Sequence, residues 1–318
     1  MKTKEFFKSL LFFFETTFLT KHISNILDGQ ALTLIDIGAA GDIELRWKRV
    51  NGLLNYIGFE PDDRSYAELR NKLNKCRKYE VHKTALWSSK REINFHLCRG
   101  WQQSSHFQPN YDLVNKFPQK ERFDVEKVGK FPAEPIDNLV QTKVDFIKID
   151  TQGGELEILK GGKKTLDNVF GLELELGFAP IYTAQPLFKE IGDFLEKHDF
   201  IFVDFVSLRR WERHDINSSF GQLVFGDGLF MKSPEYISLT YMHDNAVINR
   251  YVAICCLYNR FDLVDTLANL TKTVGGNDTL WKSVNKLKRR ANRFRKFHKV
   301  ANIGAKVCGS EFSMNGIL

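Results

Sequence analysis

From about Ala31 to Lys232, short apolar runs alternate with segments of helical spacing, and few architectures accommodate that alternation. Leu32 to Ile37, Tyr56 to Phe59, Val81 to Leu86, Asp145 to Ile149, Phe170 to Leu176 and Phe200 to Val206 read as strands. Continuous apolar runs of this kind suit a parallel sheet covered on both faces. Ser65 to Leu73, Glu155 to Leu166 and Leu187 to Glu196 supply the covering helices. The alternation predicts an α/β fold, a doubly wound and mostly parallel sheet with right-handed crossovers. Gln222 to Phe225 and Leu229 to Met231 flank a Gly-Asp-Gly break and read as a closing strand pair or as one bulged strand.

Other stretches depart from this rhythm. Arg99 to Pro135 holds four of the eight prolines and reads as an irregular, lid-like loop over 99–135. After Ser233, Ala246 to Tyr258 and Asp262 to Leu270 read as a helical hairpin, a packing or oligomerisation module. Trp281, Val284, Leu287, Ala291, Phe294 and Phe297 then recur at helical spacing in a basic tail. At the other end, Phe6, Phe7, Leu10, Leu11 and Phe14 predict an amphipathic lead helix. Its apolar core, Leu10 to Phe14, is too short for a signal segment or a membrane span. The expected organisation is a lead at 1–30, a main domain at 31–235 and a helical extension at 236–318.

The net charge of +7 is a local property. Ten Lys or Arg residues and one acid after Leu280 give the tail +9 and leave −2 for the rest. A role in specific nucleic-acid binding therefore does not follow from the overall charge. The tail instead suits an anionic membrane surface, a lipid-linked substrate or an acidic partner, or it is a solvated helix. Five scattered cysteines without a C-x-x-C pattern fit reduced thiols, so the expected location is the cytoplasm, including the inner membrane face.

Three strand ends carry acids. Asp36-Ile37-Gly38-Ala39-Ala40-Gly41-Asp42 closes the first strand with small residues that let a ligand approach the backbone. The next strand ends on Glu60, 22 residues after Gly38. That is near the roughly 20-residue spacing at which an acid meets a ribose hydroxyl in nucleotide-binding sheets. Phe146-Ile147-Lys148-Ile149-Asp150-Thr151-Gln152-Gly153-Gly154-Glu155 adds a third acid before a glycine pair and a helix. A plainer reading makes Asp150 or Thr151 a helix cap. A dinucleotide fingerprint needs a further glycine, and Asp36 and Asp42 are unwelcome beside a pyrophosphate. A nucleoside bearing an ammonium and a sulfonium, S-adenosylmethionine (SAM), suits these charges better than NAD.

Asp36-Ile-Gly-Ala-Ala-Gly41, Ile57-Gly-Phe-Glu60-Pro61, the block Lys148 to Gly161 and Leu174 to Tyr182 together resemble the FkbM family of SAM-dependent methyltransferases. The resemblance spans about Ala31 to Lys232. It implies a class I methyltransferase fold, a Rossmann-like seven-stranded sheet with an antiparallel seventh strand, followed here by a C-terminal helical extension. It also implies methyl transfer to a hydroxyl of a sugar, glycolipid, polysaccharide or natural product. Gly38, Ala39 and Gly41 would line the methionine end of the cofactor, with Asp36 orienting that loop. Glu60 would bind the ribose, Ala85 and Leu86 would flank the adenine, and Asp150 would lie beside the cofactor.

An alcohol acceptor has to lose its proton, and Asp150, Glu175 and His106 are the candidate bases, in that order. Asp150 and Glu175 are also the pair that a divalent ion would use as ligands. Four charges on two adjacent strands demand partners, so Lys148 is expected to pair with Glu173 or Glu175. Two other function classes compete: a non-catalytic binding or scaffold protein that uses the tail for an anionic partner or a membrane surface, and an NAD-dependent oxidoreductase.

Overall fold

A computed structural model of the chain describes residues 16–71, 75–213, 221–271 and the backbone of 278–307, with side chains of that last helix from 279 to 293. The amphipathic spacing at Phe6 to Phe14, Cys308, and the side chains of Phe294 and Phe297 lie outside the described residues. The chain divides into two compact units, residues 31–240, and residues 1–30 together with 241–318.

Ten strands are described in residues 31–240: β1 (Leu32–Ile37), β2 (Leu54–Phe59), β3 (Lys78–His82), β4 (Ala85–Leu86), β5 (Arg91–Cys98), β6 (Val125–Glu134), β7 (Phe146–Ile149), β8 (Gly171–Gly177), β9 (Phe200–Trp211) and β10 (Gln222–Lys232). Seven make one sheet in the order β3-β2-β1-β7-β8-β10-β9. β2, β1, β7 and β8 pair in parallel, and β10 runs antiparallel to both of its neighbours. This is the class I methyltransferase architecture, with the antiparallel strand last in the chain.

The apolar runs explain the layering. β1 and β8 are buried at every position, as central strands covered on both faces must be. Ile35, Ile147, Leu172 and Leu174 are each at most 2% exposed, and burying such a side chain stabilises by roughly 1.5–3 kcal/mol. Helices Glu155–Lys160 and Phe188–Glu196 add Ile158, Leu159, Ile191 and Leu195 to the same core.

Sequence and structure differ at several places, and β5 (Arg91–Cys98) has no counterpart among the strands read from sequence. The run Val81 to Leu86 is not one strand: Lys83 and Thr84 interrupt it, so β3 joins the large sheet and β4 joins a second sheet. The region 99–135 is also not irregular throughout. β6 fills its last third and is the middle strand of the order β4-β6-β5. At the other end, Gln222–Lys232 is one strand with register shifts at Leu223/Phe225, Asp227/Gly228 and Leu229/Phe230, the bulged alternative.

In the second unit, residues 16–27 and the helices Asn245–Leu257, Phe261–Leu270 and Asp278–Val307 pack together. His22 Nδ1 lies 3.3 Å from Ser283 Oγ, Arg290 stacks over Phe18 at 4.4 Å, and Lys288 pairs with Asp265. Leu280, Ser283, Val284 and Leu287 form the buried face of the basic helix. None of the described helices is long and apolar enough to cross a membrane.

Candidate active site

The large sheet reverses its building direction between β1 and β7: β2 and β3 lie on one side, β8 to β10 on the other. Ligands of open α/β sheets bind outside the strand ends at such a switch point. A cleft of about 350 Å³ opens there, within the size range of small-molecule sites. The β1 and β7 loops touch at its floor. Gly38 has φ +74°, and a Cβ at that position would sit 1.9 Å from the carbonyl oxygen of Asp150. Any side chain would therefore drive the two loops apart.

A row of charges lies at and below this floor. Asp36 is 4% exposed, accepts a hydrogen bond from Tyr56 Oη at 3.0 Å, and its Oδ1 is buried without a hydrogen-bond partner. Lys148 Nζ stands 3.8 Å from Asp36 Oδ1 and 3.8 Å from Asp150 Oδ2. Burial by itself lowers the Lys148 pKa, but the charges of Asp36 and then Asp150 outweigh it and the net shift is upward. The expected pairing of Lys148 with Glu173 or Glu175 is thus corrected. Lys148 and Glu173 are register partners, yet the Glu173 carboxylate bonds Arg46 at 2.9 Å, while the ammonium turns to the β1 and β7 acids.

Above this row, one amide gathers two carboxylates. Gln152 Nε2 donates to Asp150 Oδ1 at 2.9 Å and to Glu175 Oε2 at 3.0 Å. Its Oε1 lies 3.0 Å from the Tyr182 hydroxyl, which also lies 3.0 Å from the Gln103 carbonyl oxygen. Gln152 adopts φ 57° to do this, a conformation costly for a non-glycine residue. Asp227 on β10 is the register partner of Glu175 and lines the same cleft, receiving the Ser207 hydroxyl. Burial pushes the Glu175 carboxyl well above its usual range, and the charges of Asp150, Glu155 and Asp227 push it further. Asp227 is raised as well, chiefly by burial.

Glu155 has a different task. It is 1% exposed, and its Oε1 accepts from Thr151 N (2.9 Å), Thr151 Oγ1 (3.1 Å) and Gly153 N (3.2 Å). The first residue of helix Glu155–Lys160 thus reaches back to hold the loop that carries Gln152. Neither Asp150 nor Thr151 caps that helix: Gly154 is at the N-cap, with no side-chain cap bond.

Of the residues singled out from sequence, Gly38, Glu60, Ala85, Leu86, His106, Asp150 and Glu175 line the cleft. Asp36, Ala39 and Gly41 are not among its lining residues; Ala40 faces it in place of Ala39. Glu60 is 5% exposed and accepts the Asp62 N–H at 2.7 Å, and burial raises its pKa to about 7. His106 packs on Trp87 at a ring distance of 4.3 Å, and its Nδ1 lies 2.8 Å from the Asn94 carbonyl. That nitrogen must carry the proton, so Nε2 is the basic one. Burial lowers the His106 pKa. Among the described residues, no group of three or more His, Cys, Asp or Glu side chains is placed to hold a metal ion. Sequence reading missed Gln152, although it lies in the quoted segment Phe146 to Glu155, and it missed Asp227, Arg122, Arg209 and Trp211. The last four come from distant segments that only the fold brings together.

A family model described as "Methyltransferase FkbM domain" matches residues 36–202. The 2-O-methyltransferase NoeI of Sinorhizobium fredii (strain NBRC 101917 / NGR234) is 23% identical over 194 residues, covering 57% of this chain and 78% of that protein. A crystal structure of methyltransferase FkbM from Methylobacillus flagellatus KT aligns with a TM-score of 0.38 and 16% identity, over 63% of this chain and 43% of that one. Magnesium protoporphyrin IX methyltransferase (ChlM) from Synechocystis PCC 6803, solved with bound SAM, aligns with a TM-score of 0.36 and 10% identity, over 69% and 80%.

Proposed function

The chain belongs to the FkbM methyltransferase family, and from that premise we propose that it is a SAM-dependent O-methyltransferase acting on a hydroxyl of a sugar, glycolipid, polysaccharide or natural product. The observation that carries the reading is the placement of Asp150 just after β7, Glu175 on β8 and Asp227 on β10, three adjacent strands, in one cleft beside the Gly38 turn. Negative charge there favours a sulfonium over a pyrophosphate.

The residues fit SAM. Gly38 leaves the β1 loop open to close backbone approach. Glu60 offers a buried carboxylate where a ribose would present its hydroxyls. Leu86, Trp87 and Phe59 provide apolar surface for a flat base. When bound, SAM supplies an activated methyl group on sulfur. Every other contribution comes from the chain. The Gln152 amide fixes Asp150 and Glu175 relative to each other, which sets where an acceptor hydroxyl is held. Asp150, 38% exposed at its side chain, is the more accessible of the two and orients that hydroxyl. Glu175, with its raised pKa, takes the proton as the oxygen gains the methyl group.

Thermal-shift measurements with SAM, S-adenosylhomocysteine and NAD test the cofactor, because a ligand of the native state raises the melting temperature by mass action. The first two are expected to stabilise the protein and NAD to leave it unchanged. No shift with either sulfur ligand sinks the reading. Transfer of labelled methyl groups to glycolipid and polysaccharide fractions, with Asp150→Ala as control, tests the acceptor class.

A further inference from the structure

The cleft has two unlike halves. Gly38 and Glu60 follow β1 and β2, whereas Arg209 and Trp211 come from β9 and Phe225 and Asp227 from β10, at the opposite end of the strand order. Arg122 and Arg209 are the two cations among the lining residues.

Arg122 stacks its guanidinium 4.8 Å from the ring centre of Trp211 and 5.1 Å from that of Phe123. Its Nε is buried without a hydrogen-bond partner. Neither arginine has an ion pair with an acid among the described residues, although five acidic residues (Glu60, Asp62, Asp150, Glu175 and Asp227) line the same cleft. Arg122 neighbours Tyr182, whose hydroxyl meets the amide that gathers Asp150 and Glu175. A half-buried guanidinium without a counter-ion is costly, and the cost is recovered when an anion completes the pair. The aromatic stack fixes the plane of the fork, and a fixed fork matches a carboxylate, phosphate or sulfate with two parallel hydrogen bonds.

We propose that the acceptor is an acidic one, which presents a carboxylate, phosphate or sulfate to Arg122, with Arg209 as a second cation, while its reacting hydroxyl faces Asp150 and Glu175. The inference rests on the methyltransferase reading above and adds the charge of the substrate.

The test is equilibrium binding to the full chain saturated with S-adenosylhomocysteine. The probes are methyl glucoside, methyl glucuronide, glucose 6-phosphate and glucose 6-sulfate, which separate the three anion chemistries from a neutral sugar. At least one acidic probe is expected to bind about 10- to 100-fold tighter than the neutral one, the range of a charge-assisted hydrogen bond. That preference is expected to shrink in high salt and to vanish in Arg122→Gln, with the affinity for S-adenosylhomocysteine kept. Equal binding of neutral and acidic probes by the wild-type protein overturns the proposal, and that comparison holds even if the variant does not fold. A preference that survives in Arg122→Gln also overturns it. So does a folded Arg122→Gln that loses S-adenosylhomocysteine, since the arginine then serves the cofactor. Failure of the wild-type protein to bind S-adenosylhomocysteine instead defeats the methyltransferase reading.

Discussion

Replacing Lys148 with Met isolates the charge row under the cleft. Met keeps most of the side-chain volume and removes the cation that stands 3.8 Å from both Asp36 and Asp150. Asp150 is 38% exposed at its side chain, so its pair is screened by water and contributes about 1 kcal/mol at most. Asp36 is 4% exposed with one oxygen already unbonded, and stripping its counter-charge costs on the order of 3 kcal/mol. In a unit of this size that corresponds to a fall in melting temperature of roughly 6–12 °C. The loss depends on pH in a defined sense. Burial already raises the Asp36 pKa, and removing Lys148 raises it further. A carboxyl whose folded pKa exceeds its unfolded value, about 3.9, costs nothing below that value and progressively more as pH climbs through the folded pKa. The gap between variant and wild type should therefore be small near pH 4 and widest at pH 8. Adding Asp36→Asn to Lys148→Met should recover most of the loss at neutral pH. Calorimetric melts of the four proteins of this cycle at pH 5 and pH 8 decide the matter. A deficit that does not change with pH, or a double variant whose loss is the sum of the singles, refutes the pairing.

Gly38→Ala and Gly41→Ala should differ sharply although both glycines have positive φ, because only at Gly38 would a Cβ meet backbone, the Asp150 carbonyl. Gly41→Ala should cost roughly 1–2 kcal/mol of strain and Gly38→Ala at least 3 kcal/mol, read by chemical denaturation. Affinity for S-adenosylhomocysteine, followed by calorimetry, should rise with pH through about 7 as Glu60 ionises and then level off. Glu60→Gln should flatten that profile and bind about tenfold or more weakly at pH 8. Gln152→Met removes the hydrogen bond that lowers the Glu175 pKa, so the acid limb of the pH–rate profile should move to higher pH. An unchanged limb in methyl-transfer rates removes Glu175 from the proton-accepting role.

Much of the cleft end formed after β1, β2 and β7 was readable because it is local. Gly38, Glu60 and Asp150 each follow an apolar run and line the cleft, because a strand's end reaches the rim whatever the rest of the fold does, whereas Asp36, still within β1, lies below the floor. The class of fold followed from the same runs. β6 was unreadable for a physical reason: Val125–Glu134 carries charges, Gly129 and Pro132, and most of it is exposed or half-buried. It pairs with β5 along one edge, while β4 covers the other edge only at Ala133 and Glu134. Such a strand has no apolar signature, and a proline is tolerated where no ladder bond is asked of it. Lys148 was misassigned because register identifies the residue opposite but not where a long, flexible side chain ends. Glu155, the acid closing the segment Phe146 to Glu155, showed no sign of its loop-holding role, since its three donors belong to residues on its own N-terminal side. Arg122, Arg209, Trp211 and Asp227 carry no local pattern at all.

The antiparallel strand has a further consequence. Because β10 runs against its neighbours, residues from its first half reach the same rim as the last residues of β9, and the stretch that begins at Phe200 supplies Arg209, Trp211, Phe225 and Asp227 to one end of the cleft. The family match stops at residue 202, just inside that stretch. The loops after β1, β2 and β7 that line the other end are spread over more than a hundred residues, from Gly38 to Gly154, whereas this wall comes from two strands consecutive in the chain. A change of cleft shape at this wall therefore needs substitutions in one strand pair only and leaves the loops at the other end as they are.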